Sequence, residues 1–297
     1  MSTSRRPVRP LRGLALALGG AAVLTVSAHL ILVGFLRPSL DRPWSPDQAV
    51  LPTAHFADGT VTIRNVRHAA YRSVDDYDPV WENRTYRLAD LESIWFAVEP
   101  FPGFPGAAHT LLSFGFADGR YLAVSVEIRK ERGESFSAWR GMLRQYELMY
   151  VVADERDVLG LRAVHRGNPV LLLPVRTTPD HIRSTFLSVL QRVNTLAERP
   201  EFYHTVFNNC TTNIVRHANE AVPGRIPFSR AMIFPALSAR RAHDLGLVDT
   251  DLPFAEAGSR FLINDLARRY ADDSGFSARI RGVPPPVPGR AAGPAEP

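Results

Sequence analysis

The chain has one cysteine, Cys210, and one lysine, Lys130, in 297 residues. A single thiol excludes an intramolecular disulfide framework, so stability has to come from a buried core. Neither a glycine-rich phosphate loop nor an HExxH pair occurs, which removes two readable signatures of nucleotide and zinc chemistry. His204, Cys210 and His217 are close in sequence but fit no zinc-ligand spacing, and no metal or organic cofactor is expected. Asp75, Asp76 and Asp78 lack the glycine and closing glutamate of a calcium loop, which leaves them as a solvated turn. The formal charge of +5 comes without a basic run interleaved with aromatics in the body of the chain. No nucleic-acid partner is expected.

What is present is an apolar fraction of 45%, enough for a sizeable core. Arg5, Arg6, Arg9 and Arg12 precede an uncharged run at 13–36. A helix of that length, at 1.5 Å per residue, matches a hydrocarbon core of roughly 30 Å. The arginine excess keeps the N-terminal side in the cytoplasm, so the expectation is a single-pass anchor in a bacterial inner membrane with the domain in the periplasm. The competing reading is a secretory signal cleaved near Val26-Ser27-Ala28. The expected organisation is a cytoplasmic basic segment at 1–12, a transmembrane helix at 13–36, a proline-rich linker at 37–58 and a thiol domain at 59–250. A helical extension at 251–275 and a disordered tail at 276–297 follow.

Two alternating runs flank Ala117-Asp118-Gly119 and form a hairpin. A three-residue loop with Gly119 left-handed pairs Phe116 with Arg120 and separates the faces. Leu112, Phe114, Leu122, Val124 and Val126 then share one face. His109, Leu111, Ser113, Ala123, Ser125 and Glu127 share the other, with Glu127 opposite His109. A carboxylate there orients an imidazole and stabilises its cation.

Downstream, Thr178-Pro179 opens an amphipathic helix through Ile182, Phe186, Val189, Leu190, Val193 and Leu196. A second helix begins at Cys210, because Asn208 and Asn209 initiate helices and Ile214, Val215 and Ala218 recur at helical spacing. The helix N-terminus favours the thiolate, which is the nucleophilic form. Cys210 as nucleophile, His109 as base and Glu127 as orienting group make up a thiol system, with the Cys210 backbone N–H and the Asn209 side chain as candidate oxyanion donors or positioning groups. Buried packing is the bland alternative for Cys210.

Five segments carry a resemblance: Ala108-His109-Thr110-Leu111-Leu112-Ser113-Phe114, Ser125-Val126-Glu127-Ile128-Arg129, Tyr146-Glu147-Leu148-Met149-Tyr150, Glu155-Arg156-Asp157 and Asn208-Asn209-Cys210-Thr211-Thr212-Asn213. Together, over 61–248, they resemble the Lnb-type periplasmic domain family. The resemblance implies an α+β fold of the permuted papain-like, NlpC-type kind, with an antiparallel sheet, packed helices and the histidine ahead of the cysteine. It implies His109 and Cys210 as the catalytic pair and Glu127 as the third member. It also implies acyl transfer to lipoproteins, and the expected substrate is a lipid or lipoprotein, attacked through an acyl-enzyme by a cysteine-dependent acyltransferase or hydrolase. No hydrophobic helix follows the domain, although a lipid acyl donor needs an apolar path to the thiol. A cell-wall peptide amidase or peptidase, and a non-catalytic envelope scaffold, are the alternatives.

Overall fold

The computed structural model describes residues 9–282, which fall into two compact units, Met1–Pro38 and Ser39–Pro297. In the first, helix α1 (Arg9–Phe35) covers nearly all of the apolar run at 13–36. Among the described residues no helix is long and apolar enough to cross a membrane, so the expected span finds no support here. The basic segment expected at 1–12 lies outside the described residues as far as residue 8.

The second unit is α+β and is built on one sheet. Its strands are β1 (Thr53–Ala57), β2 (Thr60–Tyr71), β3 (Tyr77–Arg87), β4 (Leu91–Pro100), β5 (Ala108–Phe116), β6 (Tyr121–Arg129), β7 (Glu147–Ala153) and β8 (Leu171–Pro174). Their order is β1-β2-β7-β6-β5-β4-β8, with β3 on β2. The β5–β6 hairpin has the bulged register. The Phe116 N–H donates to the Arg120 carbonyl, Gly119 has φ +79°, and Leu111 stands opposite Ser125.

Both faces of this sheet are covered, and β5 is buried along its whole length. One face holds Leu112, Phe114, Val124 and Val126 against helices α3 (Pro179–Glu198) and α4 (Cys210–Ala221). The expected apolar stripe of α3 is what packs there. The opposite face carries small residues such as Ala123 and admits a π-helix at Arg156–His165. Helices α6 (Phe254–Arg260) and α7 (Asn264–Arg269) follow in the chain, and Ile263 and Ala267 join that second core. Helices α2 (Ala138–Met142) and α5 (Ser238–Asp244) lie in connecting segments.

Three expectations need correction. The linker at 37–58 is docked: Trp44 is buried under the Arg129 guanidinium, 4.1 Å from its ring centroid, and β1 begins at Thr53. The domain therefore extends beyond 59–250 at its N-terminal end. It extends at the other end as well, because the tail expected to be disordered from 276 starts with helix α8 (Phe276–Arg279). Phe276 and Ile280 are in the second core, and Arg281 forms a buried ion pair with Glu155 at 2.6 Å. The rest of that tail, 283–297, lies outside the described residues. Of the aspartates expected in a solvated turn, Asp75 and Asp76 are in one, but Asp78 already belongs to strand β3, one side of which faces solvent. Asp157, just after β7, is buried on Arg67 at 2.7 Å.

Candidate active site

Asn209 caps α4 and places Cys210 at its first turn. The Asn209 Oδ1 accepts from the Thr212 N–H at 2.9 Å, and the Thr212 hydroxyl accepts from the Asn209 N–H at 2.8 Å, which closes a capping box. The remaining Asn209 hydrogens donate to the Thr205 carbonyl at 2.7 Å and the Met232 carbonyl at 2.9 Å. Both amide donors are thus consumed. Asn209 positions the helix start and has no hydrogen left for an oxyanion, which corrects one of the two roles expected for it. The Cys210 backbone N–H, by contrast, finds no acceptor among the described residues and stays available at the positive end of the helix.

The helix start is pinned to the hairpin by a contact between the Thr211 and Thr110 hydroxyls at 3.1 Å. Pairing of β5 with β6 ends at Leu111 opposite Ser125. The next hydrogen-bonding pair would have been Thr110 with Val126. Instead, the Thr110 N–H joins its own hydroxyl and His109 in stabilising the Cys210 sulfur. Burial pushes the thiol up, but the hydrogen bond and charge of His109, with the two Thr110 groups, bring it down from 9 to about 7. The start of β5 and the start of α4, about a hundred positions apart, thus meet.

The expected His109–Glu127 pair is present with one residue between its members. The His109 Nε2 lies 2.6 Å from the Ser125 hydroxyl, which donates to the Glu127 Oε1 at 2.7 Å; the direct Nε2–Oε1 distance is 3.5 Å. Burial would raise the Glu127 carboxyl. The charges of His109 and Arg162 and the Ser125 hydroxyl outweigh it and hold Glu127 well below the ordinary range, as a carboxylate. A carboxylate only accepts, so the single Ser125 hydrogen goes to Glu127 and the Ser125 oxygen accepts from Nε2–H. That fixes the tautomer. Nδ1 is left with a lone pair for the thiol proton.

Arg162, from the π-helix, lies 2.7 Å from Glu127 and 2.9 Å from Glu99, the β4 residue paired with His109. It neutralises the buried Glu99 and the partly exposed Glu127 around the imidazole. Tyr203 is also close: burial, then the negative charges of Cys210 and Glu127, keep its phenol protonated. Ser125 stands two residues before Glu127 on the same strand face, so strand periodicity made its position visible but not its role. Arg162 and Tyr203 left no sequence signal, since their places depend on packing across the sheet.

A cavity of about 520 Å³ lies between the sheet, α3, α4, α5 and the segment before it; Thr211, the residue after Cys210, is in its wall, while Cys210 and His109 are not. Leu112, Leu173, Thr211, Ile214, Ala218 and Met232 contribute to its mostly apolar wall. Its Thr211 wall reaches within 3.9 Å of the Cys210 sulfur.

The family model for the Lnb N-terminal periplasmic domain matches residues 77–237, a span that holds His109, Ser125, Glu127 and Cys210. The chain belongs to this family. Its Lnb domain is therefore a periplasmic one, and the match runs from the start of β3 to the residue before α5. Strands β1 and β2 and helices α5 to α8 lie outside the matched span yet complete the sheet and its second face. No curated protein and no solved structure matches the chain.

Proposed function

We propose that the Lnb domain is a thiol acyltransferase or acyl hydrolase acting on a lipid or lipoprotein. The observation that carries this reading is the apolar cavity walled by Thr211, whose hydroxyl lies 3.9 Å from the Cys210 sulfur. It offers the apolar path a long acyl chain needs, whereas a peptide amidase needs polar groups to receive a peptide backbone. His109 Nδ1 takes the Cys210 proton, and the sulfur attacks the acyl carbonyl carbon. The resulting oxyanion is met by the Cys210 N–H. As the tetrahedral species collapses, the carbon–oxygen bond to the leaving alcohol breaks, the alcohol takes the proton from His109, and a thioester remains on Cys210. An amine or a water then attacks the thioester, giving its proton to His109; the carbon–sulfur bond breaks and the leaving thiolate recovers that proton from His109, the amine yielding transfer and the water hydrolysis. Ser125 and Glu127 stabilise the imidazolium formed in each half.

A cysteine at a helix start, a histidine on an adjoining antiparallel strand and the order histidine before cysteine support kinship with permuted papain-like, NlpC-type enzymes. The uncharged run at 13–36 behind Arg5, Arg6, Arg9 and Arg12 supports a single-pass inner-membrane anchor with a cytoplasmic N-terminus.

The test is intact-mass analysis of the full chain after incubation with a long-chain acyl ester. A single acyl adduct is expected, lost in Cys210→Ala and strongly reduced in His109→Ala. An adduct from an acetyl ester but none from the long-chain ester would remove the lipid reading in favour of the amidase. No adduct from either would favour the scaffold. Analysis of lipoprotein N-termini in a deletion strain separates transfer from hydrolysis.

A further inference from the structure

Six phenylalanine and tryptophan side chains stand exposed among the described residues of the second unit: Phe104, Phe136, Trp139, Phe207, Phe228 and Phe234. All six belong to four segments, 101–107, 136–142, 203–209 and 228–237, that form a closed ring. Phe101 packs edge-on against Phe136, with 6.2 Å between centroids. The Thr205 hydroxyl donates to the Ala138 carbonyl at 2.7 Å. Asn209 then ties 205 to 232, and the Ala236 N–H returns to the Gly106 carbonyl at 3.1 Å. The ring adjoins the thiol, because 101–107 leads into β5 and 203–209 leads into Cys210. Trp139 is 70% exposed and Phe207 74%, so the aromatics point outward rather than closing a core. Exposed apolar groups concentrated in this way mark an interaction surface.

We propose that this ring seats the domain on the surface of an anionic phospholipid bilayer, so that the thiol and its cavity face the lipid. Three observations choose a membrane over a protein partner. Arg132, Arg144, Arg225 and Arg230 are exposed in or beside the ring and make no salt bridge among the described residues, while the ring's nearby acids Glu131 and Glu134 are already paired with Arg42 and Arg140. Unpaired arginines interleaved with aromatics suit anionic headgroups above an acyl boundary. Second, the unit begins at Ser39, whose N–H donates to Glu147, and 39–45 runs beside 130–132, next to the Phe136–Trp139 segment. The chain enters the domain at the edge that carries the aromatics. Third, the apolar cavity walled by Thr211 also has Met232, a ring residue, in its wall. The proposal rests on the acyl-enzyme reading only in taking a membrane lipid as the acyl donor.

The test reconstitutes the full chain into phosphatidylethanolamine–phosphatidylglycerol vesicles in which part of the acyl chains are brominated, and reads tryptophan fluorescence. Bromine quenching is expected for the native chain and is expected to be lost in Trp139→Phe, because Trp44 is buried and Trp81 and Trp95 lie on the sheet away from the ring. The double variant Phe207→Ser, Phe234→Ser is expected to relieve the quenching of Trp139. Unquenched native fluorescence, or quenching that survives Trp139→Phe, overturns the proposal and leaves the ring to a protein partner. Acyl adduct formation on Cys210 in detergent is independent of either result, so failure of docking and failure of the acyl-enzyme reading are separately visible.

Discussion

Ser125→Ala isolates the step that links His109 to its carboxylate. The substitution removes the hydroxyl 2.6 Å from Nε2 and 2.7 Å from Glu127, and the remaining 3.5 Å between ring and carboxylate is too long for a good direct hydrogen bond. A hydrogen bond to a charged group is worth about 1.5–3 kcal/mol. The hold of His109 on the Cys210 thiolate weakens by part of that energy, and one pKa unit corresponds to about 1.4 kcal/mol. His109 is the chief influence holding the Cys210 thiol down at about 7 against burial. The thiol midpoint should therefore rise by about one unit toward its ordinary value. Thiolate ultraviolet absorbance measured against pH reads this directly, with Cys210→Ala as the blank, because no second cysteine contributes. The native chain should titrate near 7, Ser125→Ala about one unit higher, and Ser125→Thr, which keeps the hydroxyl, close to native. If Ser125→Ala titrates where the native chain does, the relay argument fails.

Arg162→Met should destabilise the fold by about 3–5 kcal/mol in urea unfolding, because it breaks the buried Arg162–Glu99 pair and leaves Glu99 only Asn168 and the more distant Arg166. Asn209→Ala should cost about 2–4 kcal/mol through the lost cap and two unpaired carbonyls. Its thiol titration should stay near that of the native chain, since Asn209 does not touch the sulfur's stabilising groups; a large shift would restore a direct role. Burial, against the pull of Glu220, lowers His217 from 6.5 to about 4, where it accepts or donates only within the Tyr150–Ser188 network. Its folded value is depressed, so its contribution is complete above 6.5 and is lost as pH falls toward 4, by at most about 3 kcal/mol. Urea unfolding across that window should show the loss, and His217→Gln should flatten it.

Legibility in the sequence followed the range of the interaction. Asn209 ahead of Cys210, Thr178-Pro179 ahead of α3 and Gly119 in the hairpin are local devices, settled by side-chain capping, a fixed proline φ and a left-handed glycine. Each can be read within a few residues, and each is where it was expected. The register of the hairpin was legible for the same reason, since only one pairing separates large apolar side chains from small and polar ones. The small and polar second face does not itself say what covers it. Its cover, the π-helix and the chain through Ile280, is supplied from about thirty to more than one hundred and fifty positions away.

The sequence by itself determined that Cys210 starts a helix and that His109, Ser125 and Glu127 share one face of a hairpin. Tertiary structure alone decided that Ser125 stands between His109 and Glu127, that Arg162 holds the carboxylates, and that a cavity of about 520 Å³ has Thr211 in its wall. The physical reason is that periodicity and capping act along the chain over one or two turns. A proton relay or a cavity is set by how far separate elements approach across the sheet, and those separations are fixed only when the two cores close.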